Sequence, residues 1–224
     1  MSTYAIGDVH GCALTLDALL EELAPTSDDH LVFVGDYTDR GPRSREVIDR
    51  MLELDERAQR GAGPKCTFIR GNHDQMMLDW VDHGEMEMWG ANGGLTTLNS
   101  YSNDNGKVVI PGEHIDFLRK TRVYLDTPDY CFVHAGLNPE LTVAQNLRYG
   151  TDETFLWTRE HLSVKDRPWE KVVVCGHTPQ SKPLIEDDLI MIDTGCVFPH
   201  YPRLGWLSAI RLPDLQVTSV RYRE

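Results

Sequence analysis

The feature that most constrains the fold is a unit repeated three times in the first third of the chain. Each unit has a short apolar run, a polar loop bounded by glycines, and a segment with helical periodicity. The apolar runs cover residues 3–6, 31–34 and 66–69. Such units predict parallel strands joined by right-handed helical crossovers. The three loops should therefore lie together on one edge of a sheet, which is where α/β proteins bind ligands.

The second half of the 224-residue chain is richer in predicted strands. A turn joins two of them into a hairpin, and a second hairpin closes the chain. The predicted strands cover residues 123–125, 130–133, 171–175, 189–192, 205–211 and 216–222. Between the two halves, residues 75–101 predict helix in two pieces. No repeat, low-complexity segment or linker interrupts the pattern, so we expect one α/β domain of mixed α+β type over residues 1–224.

Composition narrows the class of protein. The net charge of −13 argues against a surface that binds nucleic acid or an anionic membrane. The five cysteines contain no C-x-x-C pair, which argues against a disulfide framework or a structural zinc site. No signal peptide is visible, and no apolar run reaches the roughly 20 residues that span a bilayer. We expect a cytoplasmic protein with reduced thiols, acting as a monomer.

Five strand ends are followed by side chains that can bind metals. These residues are Asp8, His10, Asp36, Asn72, His73, His134 and His177. A set of nitrogen and oxygen ligands without thiolates suits divalent manganese, iron or zinc. There are too many candidate ligands for one ion, but they suit two ions that share a carboxylate. Paired ions about 3.5–4 Å apart are built for in-line displacement at phosphorus.

Five motifs occur in a fixed order around these residues. They are Gly-Asp-Val-His-Gly at 7–11, Gly-Asp-Tyr-Thr-Asp-Arg-Gly at 35–41, Gly-Asn-His-Asp at 71–74, His-Ala-Gly at 134–136 and Gly-His-Thr at 176–178. In this the chain resembles the PPP family of metal-dependent serine/threonine phosphoprotein phosphatases, in its compact bacterial or phage form. The resemblance implies two mixed β-sheets packed as a sandwich and flanked by helices, with the metals at the strand ends.

The resemblance also implies a role for each ligand. Asp8 and His10 would hold the first metal, and Asp36 would bridge both ions. The remaining ligands, Asn72, His134 and His177, would complete the second site. Manganese is the expected ion in vitro, with iron or zinc as alternatives. A hydroxide between the ions would attack phosphorus directly, without a phosphoenzyme.

The same resemblance assigns the groups that act on the substrate. Arg40 and Arg159 would clamp the phosphate oxygens, alongside Asn72 and His73, because guanidinium matches phosphate geometry. His73 would protonate the leaving group, and Asp39 would orient His73. The implied substrate is a phosphoserine or phosphothreonine protein, with phosphotyrosine as an extension.

One departure keeps an alternative open. The third motif ends in Asp74, where phosphoprotein phosphatases usually carry glutamate. Aspartate there is frequent in the related symmetrical dinucleoside tetraphosphate hydrolases. Those enzymes usually lack the acid of Asp39 and the threonine of Thr178, and they are longer, so the phosphatase interpretation is preferred. A catalytically inactive binding module ranks low because no metal ligand is missing.

The remaining notable residues receive milder interpretations. Histidines outside the motifs are expected to be surface or loop residues, namely His30, His83, His114, His161 and His200. The methionines and tryptophans of residues 76–89 are expected to form helix core, although Trp89 and Asn92 could line the substrate groove. Asp193 and Cys196 lie near the expected active edge and receive no role.

Overall fold

The computed structural model describes residues 2–224 and has two five-stranded mixed sheets with helices outside them. The first sheet has the order β10-β9-β1-β2-β3, and the second has the order β4-β5-β6-β8-β7. The strands are β1 (Thr3–Ile6), β2 (His30–Phe33), β3 (Lys65–Phe68), β4 (Tyr124–Asp126), β5 (Tyr130–Val133), β6 (Val172–Cys175), β7 (Leu184–Ile185), β8 (Leu189–Met191), β9 (Trp206–Leu212) and β10 (Gln216–Arg221). The helices are α1 (Ala13–Leu23), α2 (Ser44–Gln59), α3 (Asn72–His83), α4 (Met86–Trp89), α5 (Leu95–Ser100), α6 (Gly112–Lys120), α7 (Val143–Tyr149) and α8 (Asp152–Trp157). A π-helical turn (Gly90–Gly94) joins α4 to α5, and a 3₁₀ turn (Glu160–Ser163) follows α8.

The two sheets pack face to face, as the resemblance implies. The layer between them contains Val32 and Val34 from the first sheet and Val174 and Ile190 from the second. Helices α1, α2, α3 and α6 cover the outer face of the first sheet, and α7 and α8 cover that of the second. Strands buried on both faces need continuous apolar runs, which is the pattern that the sequence shows. None of the helices in residues 2–224 is long and apolar enough to cross a membrane.

Strands β1, β2 and β3 are parallel, as the repeated unit predicts. The closing hairpin also forms, but its place in the sheet was not foreseen. Strand β9 pairs antiparallel with β1, so that Thr3 lies opposite Leu212. The chain then returns to α1, where Glu224 accepts a hydrogen bond from the backbone N–H of Thr15 at 2.9 Å. Strand β1, which leads to the first motif, is therefore held between an early strand and a late one.

Helix α3 begins earlier than the sequence suggested. It starts at Asn72, so Asn72 and His73 lie in the first helical turn and not in the preceding loop. Gly71 is the N-terminal cap residue, and its backbone N–H donates to the Asp74 carboxylate at 2.9 Å. A helix start fixes the directions of both side chains more tightly than a free loop would.

Three histidines expected on the surface are buried. His30, His114 and His161 are 8%, 1% and 0% exposed. His30 contacts the hydroxyl of Thr67 at 2.9 Å, and His161 packs against the backbone of Gly136 and the ring of Trp169. Burial lowers the pKa of His30 and of His161 from 6.5 to about 4. The expectation was wrong because nothing local in the sequence reports these distant partners.

These shifts predict that folding stability decreases in mild acid. In the unfolded chain His30 and His161 become protonated below about pH 6.5, whereas in the folded chain they stay neutral down to about pH 4. Each group should therefore cost about 2 kcal/mol of stability between pH 7 and pH 5. Urea denaturation at the two pH values should show a smaller loss for His161→Leu than for the wild type. The exposed His83 supplies the control His83→Gln, and equal losses in all three proteins would refute the prediction.

Candidate metal centre and phosphate site

The predicted ligands meet where the strands of both sheets end. Strand β1 leads to Asp8 and His10, β2 to Asp36, and β3 to Asn72 at the start of α3. From the second sheet, β5 leads to His134 and β6 to His177. All six side chains are buried, the most exposed being His177 at 7%. The fold thus gathers residues from the whole chain into one site.

Asp36 lies at the centre of the site. Its Oδ2 lies 3.3 Å from Nε2 of His10 and 3.5 Å from Nε2 of His134. Oδ1 of Asn72 lies 2.9 Å from Nε2 of His134 and 2.9 Å from Nδ1 of His177. Two groups of ligand atoms, each within 4.8 Å, share Asp36: one with His10 and His73, the other with His134 and His177.

The histidine tautomers fit cation binding. Nδ1 of His10 faces the Thr38 carbonyl at 2.8 Å, and Nδ1 of His134 faces the Val34 carbonyl at 2.9 Å. A carbonyl only accepts hydrogen bonds, so each Nδ1 carries the hydrogen and each Nε2 presents a lone pair. Burial lowers the pKa of both histidines and keeps the rings neutral. Lone pairs that converge on a carboxylate are the donor set of a transition-metal site.

Two buried carboxyl groups of the site, Asp8 and Asp193, would be stabilised in their charged form by nearby cations. Burial and the neighbouring charges of Asp193 and Asp36 raise the pKa of Asp8 well above its usual value. Burial and the charge of Asp36 raise the pKa of Asp193 to about 7. Oδ1 of Asp8 and Nε2 of His177 are buried without a hydrogen-bond partner among residues 2–224. These residues therefore fit two divalent cations, and Asp193, which sequence reasoning left without a role, contributes to the charge they would neutralise.

The grouping differs in one respect from the set implied by the resemblance. The first group contains His73 together with His10 and Asp36, where Asp8 was expected. Asp8 contacts a member of the second group instead, since its Oδ2 accepts a hydrogen bond from the backbone N–H of His177 at 3.0 Å. His73 is thus close to the first group of ligands as well as to Asp39.

Asp39 is a buried acceptor for three side chains. Its Oδ2 lies 2.7 Å from Nδ1 of His73. The same carboxylate accepts hydrogen bonds from Nε1 of Trp89, at 2.9 and 3.0 Å, and from the hydroxyl of Thr97 at 2.7 Å. Trp89 is fully buried, so it cannot line a substrate groove, and Asn92 uses its amide on the Met88 carbonyl at 2.8 Å. Segment 89–98 therefore fixes Asp39, and through Asp39 the ring of His73.

Asp74 connects two ligand loops. Its Oδ2 accepts the backbone N–H groups of Asp36 and Gly71, both at 2.9 Å, and its Oδ1 accepts that of Tyr37 at 3.0 Å. The loops approach so closely that a Cβ on Gly71 would lie 2.0 Å from Oδ1 of Asp36. Asp74, which in the sequence distinguishes two families, therefore holds the backbone of the Asp36 loop in place.

Left-handed backbone is concentrated at the site. Five residues there have positive φ although they carry side chains: His10 (44°), Asp36 (53°), Asp39 (72°), Arg40 (67°) and His177 (65°). This conformation is uncommon for non-glycine residues and persists where surrounding contacts enforce it. The strained backbone thus occurs at motif residues, where it sets the direction of the side chains that form the site.

Each of the two arginines contacts a proposed ligand or its chain neighbour. Arg40 is half-buried, and its Nη1 lies 2.6 Å from Nε2 of His10. Arg159 is exposed, and its Nε donates to the hydroxyl of Thr178, directly after His177, at 3.2 Å. The two guanidinium groups therefore lie beside His10 and beside the residue that follows His177.

Comparisons with known proteins match nearly the whole chain. The family model described as calcineurin-like phosphoesterase matches residues 1–202. The chain is 30% identical over 244 residues to the bis(5'-nucleosyl)-tetraphosphatase PrpE [asymmetrical] of Geobacillus thermodenitrificans, covering 96% of this chain and 92% of that protein. The protein of the same name from Halalkalibacterium halodurans is 28% identical, covering 98% and 93%. A symmetrical bis(5'-nucleosyl)-tetraphosphatase of Dechloromonas aromatica is 33% identical over 146 residues, covering 65% and 47%.

Solved structures share the fold. A candidate diadenosine tetraphosphatase superposes with a TM-score of 0.71 at 23% identity, covering 100% of this chain and 94% of that one. A cold-active protein-tyrosine phosphatase of a Shewanella species gives a TM-score of 0.61 at 20% identity, covering 98% and 80%. At these identities the likeness establishes the fold alone.

Proposed function

Since this chain belongs to the calcineurin-like phosphoesterase family, we propose that it is a dinuclear metal-dependent hydrolase that cleaves dinucleoside tetraphosphates asymmetrically. The observation that carries the chemistry is the sharing of Asp36 by two groups of buried nitrogen and oxygen ligands. The substrate class is supported by relatives that align over nearly their whole length, such as the protein of Geobacillus thermodenitrificans. The chain aligns with 92% of that protein, so its length is consistent with this substrate class.

The chain's own residues supply binding and orientation. When bound, two divalent cations would supply a hydroxide near neutral pH and neutralise phosphate charge. Asp8, His10, Asp36, Asn72, His134 and His177 would hold them. Arg40 and Arg159 would each bind phosphate oxygens, since planar guanidinium groups match them bidentately.

His73 would deliver the proton to the leaving group. Its Nδ1 is held by Asp39 at 2.7 Å, so Nε2 is the atom free to act on the substrate. The products would be a nucleoside monophosphate and a nucleoside triphosphate. Whichever of them is the leaving group, the bond breaks at an oxygen of its phosphate. Such a leaving group is only weakly basic, so His73 assists its departure to a modest extent.

Protein phosphatase activity remains the second candidate function because of the hydrogen-bonded pair Asp39 and His73. The alkoxide leaving group of phosphoserine is strongly basic and depends on a general acid. A buried histidine held by a carboxylate that also accepts from Trp89 and Thr97 is suited to that task. The Asp39–His73 pair thus favours phosphomonoester chemistry, while the relatives favour dinucleotides.

A parallel assay of both substrate classes tests the proposal. With Mn²⁺ present, kcat/KM for diadenosine tetraphosphate should exceed that for a phosphoserine peptide by roughly tenfold or more, the gain expected from stacking one base. Chromatography should show AMP and ATP as products, and two ADP would contradict the asymmetric cut. Enzyme treated with a chelator is the control and should be inactive on both. A preference for the peptide would overturn the proposal.

A further inference from the structure

The loop between β8 and β9 has a fixed shape beside the metal centre. The backbone N–H of Gly205 donates to the Gly195 carbonyl at 2.9 Å and closes the loop at its base. Within the loop, the backbone N–H of Phe198 donates to the Gly195 carbonyl at 2.9 Å, and the backbone N–H of Tyr201 donates to the Phe198 carbonyl at 3.1 Å. The loop begins just after Asp193, whose charge acts on Asp8 within the site. Its side chains are therefore presented at the border of the ligand cluster.

The loop carries an aromatic pair that leads away from Arg40. The guanidinium of Arg40 lies over the ring of Phe198, 5.4 Å from its centroid. The ring of Tyr201 meets Phe198 edge to face, with 5.7 Å between the centroids and 82° between the planes. Tyr201 is 64% exposed. An exposed aromatic ring thus stands one side chain beyond a guanidinium that reaches His10.

The charge of this loop is unlike that of the rest of the chain. Residues 194–205 include His200 and Arg203 and no acidic residue, in a chain whose net charge is −13. A polyphosphate that approaches the site here meets less repulsion than over the acidic remainder of the surface. Aromatic rings combined with arginine are the means by which proteins hold nucleobases and the phosphates attached to them.

We propose that Tyr201 and Phe198 form a nucleobase subsite, in which one base of the substrate stacks on Tyr201 while its phosphates pass Arg40 to the metal centre. This inference rests on the proposed dinucleotide hydrolase activity and identifies the residues that would bind the nucleobase. A phosphopeptide has no base to place on this ring, so the subsite separates the two candidate substrates.

Two variants and a matched control test the subsite. Tyr201→Ala should raise KM for diadenosine tetraphosphate roughly tenfold, the loss of one stacked base. Hydrolysis of inorganic tripolyphosphate, which has the same anhydride but no base, should be unchanged. Tyr201→Phe keeps the ring and should behave as the wild type. Tyr149→Ala is the control, because Tyr149 is 63% exposed with Arg148 at 5.2 Å from its ring, on α7 outside the second sheet.

A binding measurement separates this inference from the activity on which it rests. AMP should bind the Mn²⁺-loaded wild type more tightly than inorganic phosphate does, and Tyr201→Ala should remove most of the difference. Loss of AMP affinity would support the subsite even if diadenosine tetraphosphate were not hydrolysed, which would refute the proposed function alone. Equal effects on the dinucleotide and tripolyphosphate, no effect on either, or a selective loss on a phosphopeptide would overturn the subsite.

Discussion

Replacing Asp36 with asparagine is expected to remove bound metal and lower kcat by about 10³-fold or more, since the ions supply several kcal/mol of transition-state stabilisation. Oδ2 of Asp36 faces Nε2 of both His10 and His134. An amide NH₂ in that place would point hydrogens at the two lone pairs and carry no negative charge. The variant should be measured for metal content by mass spectrometry and for turnover of both substrates.

The control for this variant is Asp116→Asn, the same chemical change at a side chain that is 63% exposed. It should retain metal and activity. Circular dichroism should show that Asp36→Asn is folded, because its remaining oxygen can still accept the backbone N–H of His73, now at 3.0 Å from Oδ1. An Asp36→Asn protein that holds two equivalents of metal would contradict the bridging role.

Replacing His73 with asparagine is expected to have an effect that depends on the leaving group. Loss of a general acid costs about 10²–10⁴-fold when the leaving group is strongly basic. We expect a loss of that size on a phosphoserine peptide. On diadenosine tetraphosphate it should be roughly tenfold, because the leaving phosphate, whose pKa is about 6, needs little protonation. The two kcat ratios, variant to wild type, should be measured in one enzyme preparation.

Metal content decides between two roles for His73. A general acid can be removed without loss of metal, and this is the outcome expected for His73→Asn. The ring nevertheless lies in the same group of atoms as His10 and Asp36. Loss of one metal equivalent would therefore identify His73 as a ligand and refute the role of proton donor. Equal losses of rate on the two substrates would refute it as well.

Much of the fold could be predicted from local pattern. The first three strands and their helices follow from apolar runs, glycines and helical periodicity, and β1, β2 and β3 are parallel as expected. The six proposed ligands could be listed because each follows a strand directly. Strand ends of one parallel sheet meet at one edge, which brings Asp8, Asp36 and Asn72 together. The arrival of His134 and His177 depends on how the second sheet packs on the first, and for that the resemblance was needed.

Contacts between distant segments could not be predicted. Asp39 depends on Trp89 and Thr97, which lie 50 and 58 positions further along the chain. The expectation of helix core for Trp89 agrees with its full burial, but nothing in the spacing of these residues shows that its indole donates to a carboxylate. The burial of His161 was missed for a similar reason, because the Gly136 backbone that covers it belongs to another element.

Substrate choice was harder to predict than chemistry. The ligand set serves phosphomonoesters and phosphoanhydrides alike, because both need two cations and a held phosphate. Asp39 and Thr178 pointed towards a phosphoprotein, yet Asp39 is a structural acceptor as well as a partner of His73. We expect the residues that distinguish a base from a peptide to lie outside the five motifs. The loop that carries Phe198 and Tyr201 is the segment where we expect that distinction.

The antiparallel pairing of β9 with β1 has a consequence for biosynthesis. Thr15, just after the first motif, leaves the ribosome 209 residues before Glu224, which binds its backbone N–H. Until β9 emerges, one edge of β1 stays unpaired, and such edges are prone to pair with other chains. Contacts so distant in sequence also form slowly. The loop bearing Asp8 and His10 therefore gains its support late, so the nascent chain should depend on protection from aggregation before it can load metal.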